Sequence, residues 1–209
     1  FVSPASPLFT FALDGANDFA VANVDNDGAM ELIVNTGLVY DLNSGENQWY
    51  NGSGFGSEHV AAGDINGDGV AEIFGGSRWG AITVYDARDR AQLAAIDDLN
   101  ICDMISYDIN QDNKDELLTA DCQWGEISAY SLSGNTLVNE WRIDMIDHSG
   151  VSLTAGDADN DGEVELFWST GTTSSGEDLL ASADMTNGTP TTNQQRMAVE
   201  LDYFSAAGW

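Results

Sequence analysis

A short run of oxygen-bearing residues recurs four times along the chain, with carboxylates or carboxamides at relative positions 1, 3, 5 and 9 and a glycine or asparagine at position 6. Side chains at these positions can converge on one hard cation, because the turn at position 6 folds the run back on itself. Ligands that are all oxygens favour Ca²⁺, whereas Zn²⁺ prefers cysteine and histidine, which these loops lack. The pattern therefore predicts up to four Ca²⁺ ions, one in each repeat.

The predicted ligands are the side chains at positions 1, 3, 5 and 9 and the backbone carbonyl at position 7. In chain order these residues are Asn23, Asp25, Asp27, Ala29, Glu31, Asp64, Asn66, Asp68, Val70, Glu72, Asp108, Asn110, Asp112, Lys114, Glu116, Asp157, Asp159, Asp161, Glu163 and Glu165. An EF-hand loop needs a bidentate glutamate at position 12, and none of the four loops has one there. The spacing therefore excludes an EF-hand.

Each loop lies between two short apolar stretches, which must position its ligands. Runs of about 4–8 residues bounded by Gly, Asn and Asp are typical of strands, so each loop is predicted to close a β-hairpin. The loops begin at residues 23, 64, 108 and 157, which are 41 to 49 residues apart. Two further β-rich runs fit in each unit, and units of about 40–50 residues are typical of propeller blades.

The predicted fold class is all-β, a β-propeller built of four-stranded antiparallel blades with a calcium loop between the first and second strands of each. A single domain or segment is predicted over residues 1–209, and we expect it to be part of a larger propeller. A closed four-bladed ring, closure by another copy and a solenoid of hairpins are the alternatives. The predicted repeats and flanks are approximately 17–52, 55–97, 100–144 and 149–202, with 1–16 as the last strand of a preceding blade (at Phe9–Asp14) and 203–209 as the start of a following one.

The second repeat carries the fullest motif, from Phe55-Gly56 through the acidic loop to Gly76. This stretch resembles the FG-GAP or VCBS repeats of integrin α-subunit propellers and of many secreted bacterial proteins, and the resemblance extends over all four repeats. Asn23 at position 1 of the first loop and Asn113 at position 6 of the third depart from the family pattern. The resemblance implies a calcium-binding extracellular propeller that acts as a binding or adhesion module for a protein or a glycan.

The charge and the cysteines limit the partners and the compartment. With 35 acidic residues against 6 Lys plus Arg, the formal charge is −29, which excludes the basic stripe that nucleic acids require. No apolar run of about 18 residues is present, so no membrane span is predicted. If Tyr107 pairs with Leu117 across the third hairpin, the same register places Cys102 opposite Cys122. A disulfide is therefore predicted, with two buried free thiols as the alternative, and it favours a secreted or cell-surface protein.

The sequence contains no nucleophile elbow, phosphate-binding glycine loop or dinucleotide motif, and its two histidines, His59 and His148, both precede metal loops. The chain is therefore predicted not to be an enzyme. A propeller-based polysaccharide lyase or hydrolase and a structural repeat of a surface filament or long adhesin are the alternatives. Trp79 and Trp124 lie at matching points of consecutive repeats, on the face opposite the loops. They are candidate ligand contacts, with packing between blades as the alternative.

Overall fold

The computed structural model describes residues 9–123, 126–144, 150–171, 179–191 and 195–198. Within these residues the chain forms 17 β-strands and no helix. The strands belong to four antiparallel sheets that follow one another along the sequence. The all-β prediction is therefore confirmed.

Each sheet is built from a consecutive run of strands. The first sheet comprises β1 (Phe19–Ala22), β2 (Glu31–Val34), β3 (Leu38–Asp41) and β4 (Asn47–Tyr50). The second comprises β5 (His59–Gly63), β6 (Glu72–Gly76), β7 (Gly80–Asp86) and β8 (Ala91–Leu99). The third comprises β9 (Ile101–Tyr107), β10 (Glu116–Asp121), β11 (Ile127–Ser133) and β12 (Thr136–Ile143). The fourth comprises β13 (Gly150–Gly156), β14 (Glu165–Thr170), β15 (Leu179–Thr186), β16 (Thr189–Pro190) and β17 (Gln195–Ala198).

Each sheet is a meander in which every strand pairs with the next one along the chain, except that β16 and β17 both pair with β15. The four acidic loops all connect the first strand of a sheet to its second strand, as predicted. The first strands of consecutive sheets contact one another, β1 with β5, β5 with β9 and β9 with β13. The first strands therefore lie side by side along the four sheets.

Three apolar cores lie between consecutive sheets. In β6, Ile73 points into the core shared by the first and second sheets, whereas Phe74 points into the core shared by the second and third. In β10, Leu117 and Leu118 divide in the same way between the second core and the third. Successive side chains of a strand point to opposite faces, so a strand covered on both faces is apolar throughout. Among the described residues no apolar core joins the fourth sheet to the first, and the sheets are not closed into a ring.

The segment before the first sheet differs from the prediction. The structure assigns no strand to residues 9–18, although Phe9–Asp14 was expected to form one. The ring of Phe11 instead packs on Tyr40 of β3, with ring centroids 4.5 Å apart, so side-chain packing rather than strand pairing holds this segment. Residues 1–8 and the predicted following blade at 203–209 lie outside the described residues.

The predicted disulfide between Cys102 and Cys122 is present, with Cα atoms 4.9 Å apart. The register from which it was predicted is wrong by one residue, because Tyr107 pairs with Glu116 rather than with Leu117. A bulge shifts the ladder by a further residue, because Ala120 pairs with Asp103 and Asp121 with Ile101, and Cys102 is the unpaired residue between them. A disulfide is consistent with an extracellular protein. No helix in the described part of the chain is long and apolar enough to cross a membrane.

Candidate metal centres

Two left-handed residues shape every acidic loop. Position 6 has a positive φ in all four loops, at Gly28 (91°), Gly69 (86°), Asn113 (67°) and Gly162 (94°). Position 4 also has a positive φ in all four, at Asn26 (67°), Gly67 (77°), Gln111 (61°) and Asn160 (63°). The sequence analysis predicted the turn at position 6 and missed the one at position 4. The enrichment of glycine and asparagine at position 4 is the signal that could have revealed it.

Backbone hydrogen bonds hold the acidic side chains of the loops. In every loop the N–H of position 7 donates to Oδ1 of the aspartate at position 5, over 2.8–3.0 Å. The N–H of position 6 donates to Oδ2 of Asp64, Asp108 and Asp157 at position 1 of the second, third and fourth loops. The four loops therefore share one conformation. The use of the position-7 carbonyls of Ala29, Val70, Lys114 and Glu163 as ligands stays a prediction.

The glutamate at position 9 is buried in all four loops. Its Oε2 accepts a hydrogen bond from the N–H of position 2 in three of them, at 2.8 Å for Glu31, 3.1 Å for Glu116 and 2.6 Å for Glu165. Glu31 is 0% exposed and Glu72 is 1% exposed, yet Oε1 of Glu31 and Oε2 of Glu72 have no hydrogen-bond partner. A buried carboxylate oxygen without a partner is costly unless a cation binds it. These two orphaned atoms fit a bound metal ion.

The protonation of these glutamates reflects the same surroundings. Burial raises the pKa of Glu31 to about 7, and the nearby carboxylates of Asp25 and Asp27 add to the effect. Burial likewise raises the pKa of Glu72 to about 8 and that of Glu116 to about 7. In the absence of a cation these carboxyl groups therefore hold a proton up to nearly neutral pH. A cation would have to displace that proton.

The first and fourth loops bring their carboxylates together. Asp25, Asp27 and Glu31 offer oxygen atoms within 4.8 Å of one another in the first loop. The fourth loop does the same with four carboxylates, those of Asp157, Asp159, Asp161 and Glu165. Among the described residues these two groups are the acidic clusters close enough to bind a metal ion. Carboxylate oxygens alone suit a hard divalent cation.

The second and third loops are arranged differently. The side-chain amide of the asparagine at position 3 donates to the glutamate at position 9, from Asn66 to Glu72 and from Asn110 to Glu116. In the second loop the guanidinium of Arg88 also forms an ion pair with Asp68. These internal contacts engage oxygens that were predicted to bind a cation. The predicted ligands of the two loops are therefore present but less closely grouped.

Neighbouring loops are connected through their backbones. The N–H of Ala71 in the second loop donates to the carbonyl of Asn23 in the first at 3.0 Å. The N–H of Asp115 in the third loop donates to the carbonyl of Asp64 in the second at 2.9 Å. Both contacts join position 8 of one loop to position 1 of the loop before it. The first three loops therefore form a row at one end of the sheets, and the side-chain amide of Gln111 extends it by donating to the carbonyl of Gly162 in the fourth loop at 2.9 Å.

The opposite end of the sheets carries the predicted ligand-contact tryptophan. Trp79 lies in the turn between β6 and β7, is 67% exposed and has a φ of 57°. The neighbouring Arg78 contacts the sulfur atoms of both Cys102 and Cys122 at 3.6 Å. The ring of Trp79 is therefore accessible in this structure, and its use as a ligand contact stays a prediction. Trp124, the second predicted contact, lies outside the described residues.

Comparison with known proteins identifies relatives of the fold only. No model of a protein family matches the chain, and no curated protein does. Hydrazine synthase from Kuenenia stuttgartiensis superposes with a TM-score of 0.60 at 13% identity, covering 95% of this chain and 53% of that one. Rhamnogalacturonan lyase YesW superposes with a TM-score of 0.53 at 17% identity, covering 81% of this chain and 46% of that one. The chain spans about half the length of these structures.

Both of these relatives of the fold are enzymes. This finding contradicts the prediction that the chain is not an enzyme. The prediction rested on the absence of local catalytic motifs. Residues that act together on a fold of several sheets come from distant parts of the sequence, so a search for short motifs does not identify them. At these identities the likeness shows a common fold and assigns no reaction.

Proposed function

We propose that this chain is a calcium-binding segment of a β-propeller of the FG-GAP/VCBS type, and that it belongs to an extracellular polysaccharide lyase. The observation that carries the calcium part is the orphaned Oε1 of Glu31, which is fully buried next to Asp25 and Asp27. A single bound Ca²⁺ would satisfy this oxygen and offset two of the three negative charges of the grouped carboxylates.

Calcium is the cation that best fits the donor set. The fourth loop offers four carboxylates, three on exposed residues and one buried, and Ca²⁺ accepts about 6–8 oxygens at variable angles. Mg²⁺ demands a nearly ideal octahedron and retains several waters, so a wide acidic loop suits it less well. Up to four ions are proposed, with the first and fourth loops binding most tightly.

The arrangement of the sheets supports a propeller. Each core lies between two consecutive sheets, the first strands lie side by side, and all four acidic loops lie at the same end. Four-stranded sheets packed face to face in this way are typical of propeller blades. Cations in the loops would stabilise each blade by tying its first strand to its second.

The assignment to a polysaccharide lyase rests on the likeness of fold to rhamnogalacturonan lyase YesW and on the chemistry at the end opposite the loops. Exposed Trp79 offers a ring face for a sugar, and Arg78 offers a guanidinium for a sugar carboxylate. A uronate-containing polysaccharide such as rhamnogalacturonan is therefore the proposed substrate class. The disulfide supports an extracellular setting.

A binding or adhesion module for a glycan or a protein is the second candidate. The exposed Trp79 is the observation that favours it, because aromatic side chains held in solvent are common anchors of binding surfaces. Binding and cleavage differ in one measurement, since only cleavage releases an unsaturated product.

Two experiments test the proposal. Titration of the EDTA-stripped chain with CaCl₂ should reveal two or more sites, and about 1 mM Ca²⁺ should raise the melting temperature clearly more than the same concentration of Mg²⁺. Incubation with rhamnogalacturonan in Ca²⁺ should release unsaturated uronate products, detected by ultraviolet absorbance. Absence of calcium binding would refute the metal assignment. Saturable glycan binding without product would favour the binding module, and self-association without either would favour a structural repeat.

A further inference from the structure

Charged side chains from three consecutive sheets meet at the end opposite the metal loops. Asp18 immediately precedes β1, His59 opens β5, and Asp103 lies in β9. Nδ1 of His59 lies 3.7 Å from Oδ2 of Asp18. Asp103 lies on β9, which contacts β5 as β1 does, and its carboxyl group is close enough to interact electrostatically with His59. The imidazole thus lies on the strand between two neighbours that each contribute a carboxyl group, Asp18 41 residues before it and Asp103 44 residues after it, beyond the reach of any local motif.

The two carboxyl groups are fixed by the backbone. Asp18 accepts hydrogen bonds from the N–H of Phe19 at 2.9 Å and of Val60 at 3.0 Å. Asp103 accepts hydrogen bonds from the N–H of Met104 at 2.9 Å and of Leu153 at 2.8 Å. Each carboxyl group therefore links the first strands of two adjacent sheets. Carboxyl groups fixed by two backbone hydrogen bonds in this way provide a rigid setting for acid–base chemistry.

The imidazole is accessible to a ligand. The side chain of His59 is 23% exposed, and its Nδ1 faces Asp18, which leaves Nε2 for a substrate. Glu58, which precedes His59, pairs with Arg78 at 3.8 Å, and Arg78 also contacts Cys102, which precedes Asp103. A guanidinium and the exposed ring of Trp79 therefore lie at the same end as the imidazole and its two carboxyl partners.

We propose that His59 is the proton acceptor of an acid–base site that cleaves a uronate-containing polysaccharide by β-elimination, with Asp18 positioning its imidazole and Asp103 donating a proton to the leaving oxygen. The inference rests on the proposed lyase function and adds to it the residues that perform the reaction. It needs no oxidant or reductant.

The reaction balances with these groups. Neutral His59 takes the proton from the ring carbon next to the uronate carboxylate, and the electron pair of that bond forms a double bond with the neighbouring carbon. The bond from that carbon to the glycosidic oxygen breaks, and Asp103 protonates the oxygen as it leaves. Burial raises the pKa of Asp103, which favours the protonated form that a donor needs. Arg78 can bind the uronate carboxylate and so acidify the proton that is removed.

The first test compares His59→Gln, Asp103→Asn and Asp18→Asn with Asp89→Asn, a control that removes an exposed acid remote from the site. Removal of a general base or acid should lower kcat/KM for rhamnogalacturonan by about 10²–10⁴-fold, with an unchanged melting temperature. Asp18→Asn should lower it less and through kcat rather than KM, because it removes the group that orients the imidazole and not a group that transfers a proton. Asp89→Asn should match the wild-type chain.

A second measurement does not depend on turnover. NMR of the full chain should show the ring signals of His59, assigned by their loss in His59→Gln, moving when an unsaturated oligogalacturonide is added. Wild-type activity that survives His59→Gln would overturn this inference and leave the lyase function standing. Loss of activity together with a perturbed His59 signal supports it. No product from the wild-type chain and no movement of the His59 signal would overturn both.

Discussion

Arg88 forms an ion pair with Asp68, the aspartate at position 5 of the second metal loop, and reaches Asp86 at 3.3 Å with the same nitrogen. The guanidinium thus provides internally a positive charge that the first and fourth loops lack in the described structure. The second loop also has the sequence closest to the FG-GAP/VCBS motif. The loop whose sequence most resembles the motif is therefore not one of the two loops whose carboxylates are grouped closely enough to bind a metal ion.

Removal of Arg88 should strengthen calcium binding at the second loop. Arg88→Gln frees Asp68, and an exposed ion pair is worth about 0–1 kcal/mol, so the affinity of this site should rise by roughly 2- to 5-fold. The amide signals of Gly67 and Gly69 report on this loop in an NMR titration with CaCl₂. Arg90→Gln is the matched control, since Arg90 bonds only to the carbonyl of Gln48 in the described contacts. Equal affinities in both variants would contradict the competition.

Neutralisation of Glu31 should remove one cation site and reduce the repulsion between carboxylates in the metal-free protein. Glu31→Gln retains the size of the side chain but removes a buried charge next to Asp25 and Asp27. We expect the titration to lose one of the tight sites and the melting temperature in EDTA to stay equal or rise. Glu46→Gln, at an exposed position, should change neither quantity. A large fall of the melting temperature in EDTA would indicate that Glu31 is structural without a metal.

The metal-free protein should become less stable as the pH rises. The pKa values of Glu31, Glu72 and Glu116 are raised from 4.5 to about 7, 8 and 7. A group whose pKa is raised by folding contributes stability at pH values below its unfolded-state pKa. This stability is lost as the pH rises through its folded-state pKa. In EDTA the melting temperature should therefore be higher near pH 5 than near pH 8.5, by roughly 2–4 °C for each kcal/mol.

Calcium should reverse this dependence. Binding needs deprotonated carboxylates, so the apparent affinity for Ca²⁺ should increase between about pH 6 and pH 8, and binding should release protons. Calorimetric titrations in buffers of different ionisation enthalpy measure that release. The two trends together distinguish metal ligands from carboxylates that merely cover a surface. An affinity that is flat over this range would place these glutamates outside the sites.

Local patterns predicted the strands and loops of this chain, and contacts between distant residues decided the rest. Short apolar runs and the acidic spacing predicted β6, β10 and the loops that precede them, because both signals lie within about ten residues. The bulge at Ala120, the packing of Phe11 on Tyr40 and the ion pair of Arg88 depend on partners that no local pattern contains. The same reason hid the grouping of Asp18, His59 and Asp103, which comes from three sheets.

The disulfide should add to stability independently of calcium. Cys102 and Cys122 are separated by 20 residues, and their disulfide ties the bulged residue of β9 to the residue that follows β10. Replacement of both by serine should lower the free energy of unfolding by about 2–4 kcal/mol, measured by urea denaturation in saturating Ca²⁺. A reducing agent should destabilise the wild-type chain by a similar amount and leave the double variant unchanged. Unequal effects would show that the serines themselves disturb the strand ends.

Trp79 should be a residue whose removal stabilises the fold and weakens saccharide binding. A left-handed conformation costs a non-glycine residue about 1–2 kcal/mol, and Trp79 adopts it with a φ of 57° while its ring is exposed. Trp79→Gly should therefore leave the free energy of unfolding equal or up to about 1 kcal/mol higher, while Trp79→Ala retains the left-handed cost. Both variants should bind an oligogalacturonide at least about tenfold more weakly, since loss of a stacking aromatic anchor costs more than about 1–2 kcal/mol. Isothermal titration and urea denaturation measure the two quantities on the same samples. Unchanged binding in both variants would assign the exposed ring no part in recognition, and a destabilised Trp79→Gly would mean that the ring packs in solution.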